Sequence, residues 1–398
     1  MNVDPTSLRD LATISDDIGV LSVYATADPR DRTATPAWRL SVDNALGEVR
    51  GGAANGGDKE RQAAVLDRLE RLGPEIESVL HTTEPGVGRA LFAPVTGEEV
   101  HTLTVQVPLD DCAVLAPHPY LRPLANALTL GAPAGVVAVS QDGVRVIDLR
   151  FGAASEVTRL DFALDNDDWR GTRPAAAGNR GPGGGAPSRT GGAAERFDRR
   201  VTENLLRYLN SVRPRIAEIA DARGWREVVV TGDARLLEVV REGLRADRPR
   251  RDVILLDRRV SPQRPTSEIA ELVRPELEEA RTRACRAMAE RVCDIARSGG
   301  NATTGLSDTL GALRENRVAH LVMDGTRELT GHRGRDGRYY PQGELPPGES
   351  YTSMTEELDL GERMIEMGLA GGAEVTLLPE RAAEVLAEAK GVAALLRW

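Results

Sequence analysis

The chain has 398 residues, a formal net charge of −10, 41% hydrophobic and 28% charged residues, a balance that describes a folded protein too long for one ordinary core. Aromatic residues make up only 4%, too few for the rows of rings on which single strands of nucleic acid stack without sequence preference. No apolar run approaches the roughly eighteen residues of a membrane span, and the start lacks the basic-plus-apolar pattern of a secretory signal, so a cytoplasmic protein without a membrane partner is expected.

Residues 1–133 read as a small α/β domain. An apolar strand runs over 18–24, followed by a helix over 38–49 and a glycine-bearing loop over 51–57. A second helix then carries Val65, Leu66, Leu69, Leu72 and Ile76 on one side. Strands are expected over 88–94 and 99–107, and the proline-rich tract 109–130 reads as irregular.

Residues 134–260 open with the strand 135–140, turn at Gln141-Asp142-Gly143 and return over 144–151. Asp-Gly between apolar runs signals a hairpin. A strand over 156–164 leads to a Gly/Arg-rich loop, 165–194, with too few large apolar residues to offset its ordering entropy. Beyond it Phe197, Val201, Leu205, Leu209, Val212, Ile216 and Ile219 recur with helical spacing, interrupted by Pro214, which should kink or break the helix. A strand at 228–230, the turn Thr231-Gly232-Asp233, a helix to Leu244 and a strand over 253–256 complete a mixed, mostly parallel sheet with helices.

Residues 261–398 read as an independent α/β/α sandwich. Its long helix carries Ile269 to Ile295, with Pro275 near the start. A helix over 306–313, a strand over 318–323, a Gly/Arg/Pro loop over 325–353, a helix over 358–369, a strand over 374–378, a helix over 381–386 and a last strand over 392–396 follow. The fold class is therefore α/β with three domains.

Cys112, Cys285 and Cys293 lack CxxC spacing, and His81, His101, His118, His320 and His332 are scattered, which supports neither a disulfide framework nor a zinc site. No cofactor or metal is expected, and Cys293, on an apolar helical stripe, reads as core. There is no P-loop and no hydrolase or metalloprotease signature. Asp233 reads as a helix N-cap before a catalytic acid. Asp165, Asp167 and Asp168 could hold a divalent cation, but read better as a solvated start to the loop. Between Arg170 and Arg200 the chain places seven arginines (Arg170, Arg173, Arg180, Arg189, Arg196, Arg199, Arg200) against Glu195 and Asp198. The segment is either a flexible linker or a cationic loop that docks on phosphate. The second reading is favoured because Gly191-Gly192 lets backbone amides approach a crowded ligand next to a helix expected to begin near Ala194.

Arg189-Thr190-Gly191-Gly192, followed by Arg196-Phe197 and Arg199-Arg200, resembles the Gly-Gly-Gln loop and following helix of archaeo-eukaryotic class I release factors. Gly305 to Leu313, Val318 to Val322 and the closing Gly391 to Trp398 resemble the helix-strand and final strand of the last domain in that family. The likeness covers about 134–398 and is best to the bacterial branch of the release factor and Pelota superfamily, which includes Balon-like hibernation factors. It implies a ribosome-binding protein that occupies the A site, contacts rRNA through Arg180, Arg189, Gly191, Gly192, Arg196, Arg199 and Arg200, and acts in company with elongation factor Tu. No DNA partner is implied. This sequence departs from the pattern at Ala193, where hydrolytic members have Gln, and lacks the Asn-Ile-Lys-Ser motif that reads stop codons. The resemblance with these departures favours a non-catalytic hibernation factor. A peptidyl-tRNA hydrolase acting in ribosome rescue is the alternative, since the backbone amide of Ala193 could still stabilise an oxyanion. A stress-related adaptor without ribosome contact is a third reading, which the arginine density disfavours.

Overall fold

Near-continuous apolar runs build the central strands of the larger sheets, as strands buried on both faces require. A computed structural model describes residues 5–27, 36–55, 58–81, 86–140, 142–162, 191–246, 251–261, 263–345, 350 and 354–398, with several sheets in a mixed α/β protein. The chain divides into two compact units.

The first unit combines Met1–Ala132, Phe151–Ala153 and Arg281–Trp398. Its N-terminal part contains α1 (Pro5–Ala12), β1 (Val20–Thr26), α2 (Ala37–Asn55), α3 (Lys59–Arg71), α4 (Gly73–Leu80), β2 (Gly88–Pro94), β3 (His101–Val105), β4 (Cys112–Ala116) and α5 (Arg122–Leu130). The strands form an antiparallel sheet in the order β3-β2-β1-β4, with Val23 opposite both Leu91 and Ala113. Leu21, Val23 and Ala25 face α2, α3 and α4 through Trp38, Val42, Leu69 and Ile76. Tyr24 and Phe92, one residue out of phase, face the other side with Leu8, Leu11 and Leu124.

Three expectations are corrected here. The loop expected over 51–57 is helical as far as Asn55; Gly51 and Gly52 meet nothing near a Cβ position, so the helix passes through them. The single second helix is two, broken at Leu72, because Pro74 suits a new first turn and not a helix interior. The tract read as irregular contains the edge strand β4 and the helix α5, in which Pro123 again occupies a first-turn position. The short helix α1 carried no expectation at all.

The C-terminal part contains β10 (Ala302–Thr304), α9 (Leu306–Arg314), β11 (Val318–Asp324), β12 (Gly331–Arg333), β13 (Tyr339–Pro341), β14 (Thr355–Glu357), α10 (Leu360–Ala370), β15 (Glu374–Leu378), α11 (Glu380–Ala383) with a 3₁₀ turn at Glu384–Leu386, and β16 (Val392–Leu396). The sheet order is β10-β16-β11-β15, with β11 and β15 parallel. Leu321 and Met323 pack on the α9 and α10 side with Leu310 and Met364, in the same core as Leu8 and Leu11. Val322 packs on the opposite side with Val292, Cys293 and Leu386. Helices thus cover both faces, and Cys293 is core. The expected loop over 325–353 contains β12 and β13, which join β14 in a separate sheet of order β13-β12-β14.

Polar groups knit this unit internally. Glu362 is fully buried, and its carboxylate accepts the backbone N–H of Leu121 and that of Arg122 (3.2 Å) at the start of α5. Arg122 donates to Asp359 at 2.7 Å, and Asp359 also accepts the Glu362 amide at 2.9 Å, capping α10. Burial pushes the Glu362 carboxyl up to about 7. An acid raised in this way favours the folded state fully below its unfolded pKa near 4.5 and loses that contribution as pH rises through about 7. Glu362→Gln retains an acceptor without charge. It should flatten the fall in urea-midpoint stability between about pH 5 and about pH 8, a gain on the order of 3 kcal/mol over wild type at the upper end. An unchanged slope would assign the titration to another group.

The second unit combines Pro133–Arg150 and Ala154–Ala280. Its elements are β5 (Ala134–Ser140), β6 (Gly143–Arg150), β7 (Ala153–Asp161), α6 (Gly191–Ala222), β8 (Glu227–Thr231), α7 (Ala234–Ala246), β9 (Asp252–Leu256) and the first half of α8 (Thr266–Arg297), whose second half belongs to the first unit. The sheet order is β7-β6-β5-β8-β9; β5 pairs antiparallel with β6 through the expected turn and parallel with β8, which pairs parallel with β9. Val137, Val139, Val228 and Val230 face α6 and α7. Val136, Ile147 and Val229 face α8 through Ile269, Val273 and Leu277. Trp225 lies over Gly135, where a Cβ would stand 2.2 Å from the ring, and its Nε1 donates to Asp148 at 2.5 Å.

Pro214 does not end α6. Ile216, Ala217 and Ala220 beyond it remain buried, which offsets the roughly 3 kcal/mol that an interior proline costs. Leu205 is 2% exposed in the core between α6 and the sheet. Leu205→Ala should destabilise this unit by about 2–5 kcal/mol in chemical denaturation. A loss well below that range would remove Leu205 from the anchoring contact.

Candidate functional site

The carboxyl ends of β5, β8 and β9 lie along one edge of the sheet. The chain leaves β5 toward β6 and β8 toward β9, so the strand order changes direction between β5 and β8, the position at which open sheets of this kind expose backbone and side chains to a partner. Gly232 (φ +155°) fits against the Val139 carbonyl there; a Cβ would stand 2.5 Å from that oxygen. Asp233 follows. Its carboxylate accepts the Arg235 backbone N–H at 3.1 Å, the Arg235 guanidinium at 3.1 Å through each oxygen and the Arg259 guanidinium at 2.7 Å. These hydrogen bonds, from Arg235 first, hold the carboxyl well below the usual carboxylate range. Asp233 is therefore an ionised capping group, as its place in the turn suggests, and has no proton to give as a general acid. Thr231 Oγ1 donates to the Arg258 carbonyl at 2.6 Å, which fixes the path of Arg258 and Arg259 past the end of β9.

Helix α6 reaches the same edge. Phe162, just after β7, donates its backbone N–H to Asp142 at 2.7 Å, and its ring lies 5.2 Å from that of Tyr208. At the far end, Trp225 donates its backbone N–H to the Ala220 carbonyl beside the start of β5. The helix thus runs back along the sheet, and its first described buried side chain is Leu205. From Gly191 to Leu205 the helix backbone spans about 20 Å at 1.5 Å per residue; the side chains of residues 191–202 lie outside the described residues. The sequence predicted a helix starting near Ala194; it starts at Gly191, so Gly191 and Gly192 belong to its first turn and not to the loop.

Arg196, Arg199 and Arg200 also fall on the N-terminal turns of the helix backbone. Arg180 and Arg189, like Asp165, Asp167 and Asp168, lie outside the described residues. Arg235, Arg258 and Arg259 were missed by sequence reasoning. The arginine pair immediately after a parallel strand was the available signal, because that position is the carboxyl edge. Burial pushes the Cys112 thiol up to about 12 and also raises that of Cys293. No described helix is long and apolar enough to cross a membrane.

Residues 133–254 match the model of bacterial archaeo-eukaryotic release factor family 5. The match runs from the start of β5 into β9, under a third of the chain, and includes all of α6. Through this region the protein resembles the bacterial archaeo-eukaryotic release factors. Among solved structures, the archaeal translation termination factor aRF1 is 16% identical, with 100% of this chain and 99% of that chain covered and a TM-score of 0.25. Archaeal Pelota, from a model of its ribosome-bound form with ABCE1, is 12% identical over 100% and 95% of the two chains, with a TM-score of 0.40. Dom34 of S. cerevisiae, a translation termination-like factor, is 8% identical over 78% and 79%, with a TM-score of 0.38. No curated protein matches the sequence.

Proposed function

We propose that this protein is a ribosome-binding translation factor that occupies the A site without cleaving peptidyl-tRNA, a hibernation factor of the Balon-like kind. One observation carries the reading: a helix packed on the sheet through Leu205 and Leu209 carries Gly191-Gly192 in its first turn, within the segment that matches the release factor family, and the next residue is Ala193. A glycine pair at a helix start offers backbone amides to phosphate or ribose. Alanine provides no side-chain donor or acceptor with which to position a water. The arginines on and before this end, with Arg235 and Arg259 at the sheet edge, supply the positive charge that an otherwise acidic chain needs to approach rRNA. The N-terminal part then lies toward the decoding centre and the glycine pair toward the upper tRNA path.

On ribosomes carrying peptidyl-tRNA, the purified protein should bind and release no peptide above background. Multiple-turnover release that collapses when Gly191 or Gly192 is replaced would overturn the non-catalytic reading and establish a rescue hydrolase. Failure to bind ribosomes at all would overturn both.

A further inference from the structure

The β12–β13 hairpin concentrates exposed arginines and two adjacent tyrosines. Its base is fixed: Leu329 is buried and accepts the Leu360 amide at 2.8 Å, and a Cβ on Gly331 would meet the Tyr340 carbonyl at 2.2 Å. Its tip closes with Gly337 (φ +76°), whose N–H donates to the Gly334 carbonyl at 3.0 Å, while Gly334 donates to Arg338 at 2.8 Å. Arg333 at the end of β12, Arg335 between the two glycines and Arg338 just before β13 are all exposed. The one acid at the tip, Asp336, is satisfied locally. It accepts the Arg338 amide at 3.0 Å and the Tyr340 hydroxyl at 2.8 Å, and it sits 3.6 Å from the Arg338 guanidinium. The acids paired with β12 from the other side, Glu356 and Glu357 on β14, stand opposite His332 and Gly331, toward the base.

Two of the six tyrosines of the chain are adjacent here, and each carries an arginine. The Arg333 guanidinium lies 6.0 Å from the Tyr339 ring centroid, and that of Arg314, from α9, lies 5.7 Å from Tyr340. A guanidinium held on a ring loses little further freedom on binding and presents a planar group that both stacks on bases and donates to phosphate. An acidic protein surface would use the charge but leave the stacked planes without a counterpart. Unpaired RNA uses both.

We propose that this hairpin is an RNA contact surface, with Arg333, Arg335 and Arg338 on phosphate and the Arg-Tyr pairs against unpaired bases. It is separate from the glycine-bearing helix and rests on the ribosome-binding reading only for which RNA it meets. The test uses the full chain, a mixed-sequence single-stranded RNA oligonucleotide and purified ribosomes, each titrated over a range of salt. A triple variant, R333A with R335A and R338A, should lose about tenfold or more in oligonucleotide affinity. Its log–log salt slope should fall by about 2, at roughly 0.7 per phosphate no longer neutralised, while its thermal unfolding stays at the wild-type value. The corresponding triple lysine variant should keep the slope and still bind more weakly, because charge is retained and stacking is lost. Wild-type affinity and slope in the alanine variant overturn the proposal, as does a loss seen against polyglutamate but not against RNA, which would mark an acidic protein partner. Should the wild type bind the oligonucleotide through the hairpin and fail to bind ribosomes, the hairpin assignment stands and the ribosomal reading fails. Ribosome and oligonucleotide binding that are both indifferent to the hairpin have the opposite meaning.

Discussion

The packing of a 32-residue helix on its sheet is the constraint on which the candidate site depends. Leu205, Leu209, Ile216 and Ala220 press α6 against Val137, Val139, Val228 and Val230, and Trp225 closes the far end over Gly135. Each buried side chain contributes on the order of 1.5–3 kcal/mol of apolar transfer, and several in register fix the direction of the helix axis. The N-terminal turns continue the same helix backbone, and the glycine pair stands in the first of them, although glycine is a poor helix former.

The sheet beneath it adds charge at its carboxyl edge. Asp233 caps α7 and is itself held by Arg235 and Arg259, so two guanidinium groups that would repel one another share a carboxylate. Their side chains remain 70% and 74% exposed, so their positive charge still faces solvent. In the other unit, polar burial has a different consequence. Glu362 joins α10 to the start of α5 through main-chain N–H groups, linking residues far apart in sequence at the cost of a carboxyl that is easiest to bury when protonated.

Elements that carry their own period were legible in the sequence. The strands β2, β15 and β16 have the residue bounds that their apolar runs imply, and the Asp142-Gly143 turn forms the hairpin between β5 and β6. What escaped was decided by tertiary contact or by misread punctuation. Pro123 and Pro74 start helices, Gly51 and Gly52 continue one, and Pro214 is overridden by the packing of Ile216 and Ala220. The strands β12 and β13 span three residues each, too short for alternation to register. At the candidate site the glycine pair and its arginines were visible as a local pattern. The convergence of Arg259 on Asp233 was not, since it exists only because β8 and β9 lie side by side in parallel.

If the N-terminal end of α6 meets ribosomal phosphate as proposed, the most direct measurement is ribosome affinity as a function of salt. Replacing Arg189, Arg196, Arg199 and Arg200 together with alanine should weaken binding and reduce the log–log slope by roughly 0.7 to 0.9 for each phosphate that is no longer neutralised, with circular dichroism unchanged. Equal affinity and equal slope in the variant and the wild type would contradict the account and leave the helix end without a role in binding.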